Sequence, residues 1–168
     1  MKGVFVVLDG VADESHNSLG GKTPLEHAKT PHLDGLAKKS SIYQSYVIKE
    51  GIAPESSSGI LSLLGYEPSV VARGPLEAFG AGVRFSQGDL VLRTNFATVD
   101  ELSSMSLLDR RAGRTLSEHE ARTLANAINK QVKLPYKFEF FSTLHHRGVL
   151  VFRGGFSDNI SNVDPDYS

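Results

Sequence analysis

Val4-Phe5-Val6-Val7-Leu8-Asp9-Gly10 is the stretch on which the fold class turns. Five apolar residues follow one another without a polar interruption, and β-branched valine dominates them. A half-exposed strand would alternate, so this run reads as a strand buried on both faces, as in a parallel sheet. It ends at Asp9-Gly10. In open α/β sheets ligands sit outside the carboxyl ends of the strands, which makes Asp9 a candidate metal ligand. The same dipeptide also suits an ordinary turn, and the residues alone leave both readings open.

A strand of this kind needs cover on both faces and pairing on both edges. Residues 10–22 read as a polar loop containing Gly20-Gly21. Thr23-Pro24-Leu25-Glu26 predicts a capping box with proline at the first helical position, and Thr30-Pro31-His32-Leu33-Asp34 repeats the device. Leu33, Leu36 and Ala37 give the second helix an apolar face. His16, His27 and His32 have no carboxylate or histidine at a ligand spacing and read as surface residues. Ile42 to Ile48 alternates loosely and predicts a second strand. Two strands do not complete a sheet, since sheets commonly have about four to six. The remaining strands are therefore expected from polypeptide beyond these residues or from a partner.

Working outward, Gly51-Ile-Ala-Pro-Glu-Ser-Ser-Ser-Gly-Ile-Leu-Ser-Leu-Leu-Gly-Tyr66 places Ser56, Ser57 and Ser58 between a proline turn and an apolar run. Leu61 and Leu64 recur at helical spacing and Gly65 is a stop signal, so the serines should begin a short helix. Free N–H groups and the positive end of the helix dipole favour an anion there. A serine in that place is either an N-cap or a nucleophile aimed at phosphate.

Past Gly74-Pro75-Leu76-Glu77-Ala78, a turn into a short helix, Gly80 and Gly82 break the pattern, and a domain boundary is expected between residues 70 and 86. The division adopted is 1–78 and 79–168. In the second part, Asp89 to Phe96, Lys137 to Thr143 and Gly148 to Arg153 read as strands, the last two as antiparallel neighbours. Ser117-Glu118-His119-Glu120 is a capping box opening a helix whose apolar face is Ala121, Leu124, Ala125, Ile128 and Val132. This is a small α+β unit.

The balance of 18 basic and 19 acidic residues leaves a net charge of -1, so no global field draws nucleic acid or an anionic membrane. The absence of cysteine removes disulfides, thiolate metal sites and cysteine nucleophiles. The apolar N-terminal run is too short for a signal peptide, no run approaches the roughly 20 residues of a membrane span, and a cytoplasmic location is expected. Within this neutral chain, Leu108-Asp109-Arg110-Arg111-Ala112-Gly113-Arg114 concentrates three arginines beside one carboxylate. Guanidinium forks suit phosphate and carboxylate, while a solvated basic loop is the plainer reading. Arg73, Arg93, His146, Arg147 and Arg153 fall in the same part of the chain and favour a pocket for a small anion. No aromatic residues are interleaved as a base-stacking platform would need.

Taken together, the segments Val7-Leu8-Asp9-Gly10-Val11-Ala12-Asp13, Gly21-Lys22-Thr23-Pro24-Leu25-Glu26, Lys29-Thr30-Pro31-His32-Leu33-Asp34, Leu61 to Pro68, Arg73-Gly74-Pro75-Leu76-Glu77-Ala78, Gly88-Asp89, Asn95 to Asp100, Asp109 to Arg114 and Val163-Asp164-Pro165 resemble the cofactor-independent (2,3-bisphosphoglycerate-independent) phosphoglycerate mutase family. The resemblance is to its archaeal-type branch, within the alkaline phosphatase superfamily. It implies an α/β fold: part of a doubly wound, phosphatase-like metal-binding domain over 1–78, followed by a smaller inserted α+β domain over 79–168 that binds substrate. It implies interconversion of 3-phosphoglycerate and 2-phosphoglycerate through a phosphoserine, with two divalent metal ions, usually manganese, and no 2,3-bisphosphoglycerate.

The family's nucleophile lies in a Pro-Gly-Ser-Asp-Thr-Ala pattern. Pro54-Glu55-Ser56-Ser57-Ser58-Gly59 stands in that place, so the resemblance makes Ser56 the nucleophile, with Ser57 as the alternative. Glu55 stands for a glycine and Ser57 for an aspartate. By the same resemblance Asp9 and Ser56 share a metal, and Asp109, Arg110, Arg111, Arg114, His146 and Arg147 bind substrate. The family's remaining metal ligands follow in a C-terminal part of the phosphatase-like domain. The chain is thus expected to be the N-terminal portion of a longer mutase, inactive alone. A phosphoglycerate- or partner-binding module without catalysis and a related metal-dependent phosphatase are the competing expectations.

Overall fold

The computed structural model describes residues 2–8, 10–69, 72–101, 103, 106–161 and 163. Asp9 and the Asp164-Pro165 part of the last quoted segment lie outside the described residues. Two compact units are present, Met1–Pro68 and Ser69–Ser168.

The first unit is built from helices and loops. Helix α1, Pro24–His27, has the expected capping box: the Thr23 hydroxyl accepts from the Glu26 N–H at 3.2 Å and the Glu26 carboxylate accepts from the Thr23 N–H at 2.9 Å. Helix α2, Pro31–Ala37, starts after Thr30 but without the box. Asp34 lies one residue too far along to reach back to the N-cap N–H, and instead accepts from the Thr30 hydroxyl at 2.9 Å. Helix α3, Ser56–Leu63, begins at the first serine, as its pattern predicts. It ends at Gly65, whose φ of 84° permits the reversal. The N–H groups of Gly65 and Tyr66 donate to the carbonyls of Ser62 and Leu61, both at 2.9 Å, so the last helical acceptors are satisfied. His16, His27 and His32 are exposed, in line with their surface reading, and His16 lies 3.4 Å from Asp13.

The two strands expected in this unit are not formed. Neither residues 4–8 nor 42–48 are in a strand, and an isolated bridge between His16 and Lys22 is the β-pairing among the described residues of the unit. Val4 is 89% exposed and Val6 70%, where burial on both faces was expected. A strand is a property of its neighbours: its N–H and C=O groups and both faces need partners, and none of the described residues supplies them. Leu36, on the apolar face of α2, is likewise 65% exposed. The fold is mixed α/β with small sheets, and the doubly wound sheet is not present among the described residues.

The second unit carries the sheets. Strand β1, Leu90–Asn95, is followed by β2, Thr98–Val99, and β3, Leu107–Asp109, an antiparallel pair of their own. Strands β4, Phe138–Ser142, and β5, Arg147–Phe152, form the expected antiparallel hairpin, and β1 adds antiparallel to β5 to give the order β1-β5-β4. Helix α4, Arg73–Gly80, packs on β1 within the unit Ser69–Ser168. Ala78 of α4 joins Val91, Val149 and Val151 in the buried core. Helix α5, Glu118–Gln131, has the expected capping box between Ser117 and Glu120. It lies along β4 and buries Ala121 and Ala125, while Leu124 and Val132 of its expected face remain partly exposed.

Register at the free edge of β4 is held by a side chain. The Asn129 amide donates to the Phe140 carbonyl at 2.7 Å and accepts from the Phe140 N–H at 2.8 Å, acting as a stand-in for a neighbouring strand. Replacing it strands a buried donor and acceptor. Asn129→Ala is therefore expected to lower the stability of the chain by about 2 kcal/mol in urea denaturation. Among the described residues no helix is long and apolar enough to cross a membrane.

Candidate functional site

Ser56 is the first residue of α3 and is exposed, while Ser57 and Ser58 are half-buried. Their places follow from local bonding. The Ser58 hydroxyl donates to the Glu55 carbonyl at 3.1 Å and the Gly59 N–H to the same carbonyl at 2.7 Å, which closes the first turn. The Ser62 hydroxyl donates to the Val47 carbonyl, tying the helix to residues 42–48. Gly59 is buried against Pro54 and Val47. Ser56 thus stands at the mouth of a cleft of 180 Å³ lined by Val7, Leu8, Gly10, Val47 and Pro54. The N–H groups of a helix's first turn have no intrahelical acceptor, and this end favours an anion.

In the second unit the arginine loop is organised by Asp109. Its carboxylate accepts from the N–H groups of Arg111 at 2.7 Å and Gly113 at 2.9 Å. The loop continues through Ala112, Gly113 and Arg114 with φ values of 46°, 64° and 56°. Two of these are non-glycine residues in the left-handed region, a conformation that persists where surrounding bonds impose it. Arg110 and Arg111 are half-buried and Arg114 is exposed.

The β1–β5 register brings a second set of residues together. Asn95 lies directly opposite Arg147, and Arg93 opposite Val149. Alternation along β1 puts Arg93 and Asn95 on the face of Val91, the face that α4 covers. From α4, Glu77 reaches this end of the sheet: it accepts from the Thr143 hydroxyl at 2.8 Å and lies 3.6 Å from Arg93 Nε. His146, in the β4–β5 turn, is only 7% exposed. Its Nδ1, together with Arg147 Nε, Asn95 Oδ1 and Thr94 Oγ1, is buried without a hydrogen-bond partner. Unpaired buried polar atoms are uncommon, and several at one sheet end mark a place built around something other than its own packing.

Burial, first, and then the charges of Arg147, Arg114, Arg93 and His145 push His146 below its ordinary value of 6.5. The folded state favours the neutral imidazole, so the unfolded chain takes up this proton first as pH falls. The stability His146 contributes is complete above 6.5 and declines as pH drops below it. Asp89 and Glu120, held below 3.8 and 4.5, titrate beneath that window. Urea denaturation from about pH 7.5 to about pH 5.5 is expected to show falling stability, with a shallower slope for His146→Gln.

Arg153 does not join this cluster. It sits at the other end of β5, where it bonds Glu139 through Nε at 2.6 Å, Asp89 at 2.9 Å and the Arg84 carbonyl at 3.1 Å. Its partners make it a clamp between strand and loop. Glu77, Thr94 and Asn95 were not among the residues singled out from sequence. The period-two pattern running from Val91 through Arg93 could have pointed to Asn95, whereas nothing in the chain order points to Glu77.

This is a mixed α/β chain with a serine at a helix N-terminus in one unit and a guanidinium-rich sheet end in the other. A family model described as 2,3-bisphosphoglycerate-independent phosphoglycerate mutase matches residues 37–168. The enzyme of that name from Methanopyrus kandleri is 45% identical over 96% of this chain and 39% of its own length. Its namesake from Aeropyrum pernix is 44% identical over 99% of this chain and 40% of its own. A solved protein structure from Pyrococcus horikoshii superposes with a TM-score of 0.68 at 29% identity, covering 89% of this chain and 36% of that one. The chain belongs to the 2,3-bisphosphoglycerate-independent phosphoglycerate mutase family. It spans about two fifths of the length of the curated relatives it matches.

Proposed function

We propose that this chain supplies the nucleophile and the substrate-binding unit of a phosphoglycerate mutase, as the N-terminal portion of the catalytic fold. The observation that carries this reading is Ser56, exposed at the first position of α3 beside a cleft, in a chain of the mutase family. In the proposed reaction Ser56 Oγ attacks the phosphorus of 3-phosphoglycerate. The bond to the substrate's C3 oxygen breaks, and that oxygen takes up a proton. The enzyme now holds phosphoserine and glycerate. Attack by the C2 hydroxyl then returns the phosphoryl group, giving 2-phosphoglycerate and free Ser56. Free N–H groups at the start of a helix suit a phosphoryl group, and guanidinium groups suit the negative charge of a phosphate ester and a carboxylate.

The family resemblance implies two divalent metal ions, manganese most often, with Asp9 and Ser56 as ligands. The residues here do not suffice for them. Among the described residues no group of three or more histidine, cysteine, aspartate or glutamate side chains is placed to hold a metal, and Asp9 lies outside them. The remaining ligands, like the neighbours that Val4 to Leu8 lack, would come from the C-terminal part of the same fold. The 168-residue chain alone is accordingly expected to show no interconversion above background and no tight manganese binding by titration calorimetry. The reading is tested by supplying the C-terminal part of the Methanopyrus kandleri relative, fused to the chain or in trans. Gain of mutase activity supports it. Release of free phosphate faster than isomerisation would favour a phosphatase instead.

The second unit favours one other reading. Its arginines and unpaired polar atoms lie within that one unit, as a module that binds phosphoglycerate without turning it over would require. Binding of 3-phosphoglycerate by a chain that no C-terminal part activates would put this reading first.

A further inference from the structure

The substrate-binding positions considered so far come from the arginine loop and from His146 and Arg147. The sheet face beneath α4 adds to them. Arg93, Asn95 and Arg147 share one end of the β1–β5 pair. Arg93 and Glu77 are both largely buried, with side chains 19% and 20% exposed. Glu77 is anchored on its other oxygen by Thr143, whose N–H in turn donates to the Arg147 carbonyl at 3.0 Å. One carboxylate thereby touches residues from the start of the β4–β5 turn and from the middle of β1. Asp109, the acid of the arginine loop, accepts from the N–H groups of that loop. Beside Arg93, the buried atoms His146 Nδ1, Arg147 Nε and Asn95 Oδ1 have no hydrogen-bond partner among the described residues. Unpaired buried polar atoms beside guanidinium groups suit a small ligand that carries phosphate and carboxylate.

We propose that Arg93 is a further anion-binding residue of the second unit and that Glu77 is its positioning residue, holding the guanidinium from α4 while bonded to Thr143. The proposal rests on phosphoglycerate being the ligand. It separates Glu77 from the rest of the field by the sign of its effect. A carboxylate near an anion site repels the anion, so its removal should tighten binding if charge is all it contributes. If Glu77 orients Arg93, its removal should weaken binding although a negative charge has gone, because a fork that must be ordered on binding loses affinity.

The test is titration calorimetry of 3-phosphoglycerate into the 168-residue chain, with Glu77→Gln, Arg93→Gln and the double variant, each checked for folding by circular dichroism. Arg93→Gln is expected to weaken binding about tenfold and Glu77→Gln about fivefold, and the double variant should be no weaker than Arg93→Gln, since both act through one group. Unchanged or tighter binding by Glu77→Gln, or losses that multiply in the double variant, would overturn the proposal and leave the mutase reading intact. Should Glu77→Gln fail to fold, Thr143→Val removes one anchor of the carboxylate. A loss of about threefold supports the positioning role and unchanged affinity overturns it. Absence of binding by the unaltered chain would overturn both the proposed function and this inference.

Discussion

Ser56→Ala, made in this chain completed with the C-terminal part of the Methanopyrus kandleri relative, is expected to lower interconversion of the phosphoglycerates by about 10⁴- to 10⁶-fold, the scale on which removing a covalent nucleophile acts. Ser56 is exposed at the first turn of α3, where N–H groups without intrahelical acceptors converge, while Ser57 and Ser58 are half-buried and the Ser58 hydroxyl is committed to the Glu55 carbonyl. Ser57→Ala should therefore cost less than about tenfold. The reverse ranking would move the nucleophile one residue along. Glu55, which stands where the family pattern has glycine, adds a negative charge next to the proposed nucleophile. Glu55→Gln is expected to raise the rate by a few-fold, read in the same coupled assay, because a like charge beside the developing phosphoryl transition state is removed.

Gly74→Ala should be the most damaging small substitution in the second unit. A Cβ built at Gly74 would lie 1.9 Å from the Val91 carbonyl oxygen and 2.7 Å from its carbon. These atoms belong to the backbone of β1, not to a flexible side chain, so relief requires α4 and β1 to move apart. Ala78, on the next turn of the same helix, is buried in the core with Val91, Val149 and Val151, and would be drawn out with it. Overpacking of this kind costs about 3 kcal/mol, which in a unit of about 100 residues lowers the midpoint of thermal unfolding by more than about 10 °C. Circular dichroism melts of the two chains check this. Because α4 also carries Glu77, a variant that folds with the helix displaced should bind 3-phosphoglycerate less tightly as well.

Much of the second unit was legible in the chain order. Its capping box at Ser117, its β4–β5 hairpin and the strand at Leu90 rest on local chemistry: a hydroxyl reaching an N–H three residues on, and apolar runs bounded by turn residues. The start of α3 at Ser56 and its stop at Gly65 were legible for the same reason. Residues 4–8 and 42–48 misled because the strand signal there is one of burial, and burial depends on neighbours that the described residues do not include. Thr30 misled more narrowly, by a carboxylate placed one residue beyond the reach of a capping box.

The sequence by itself determined membership of the mutase family, the helix that presents Ser56, and the concentration of arginines in one part of a neutral chain, since each depends on residue type and spacing along the backbone. Which residues come together at the end of the β1–β5 pair was decided only by tertiary structure. Arg93 meets Glu77, Glu77 meets Thr143, and Asn95 lies opposite Arg147 through strand register and helix packing, across separations that no local pattern encodes. Arg153, six residues from Arg147 in a strand that rises about 3.3 Å per residue, is carried to the far end of the sheet and spends its charge on Glu139 and Asp89.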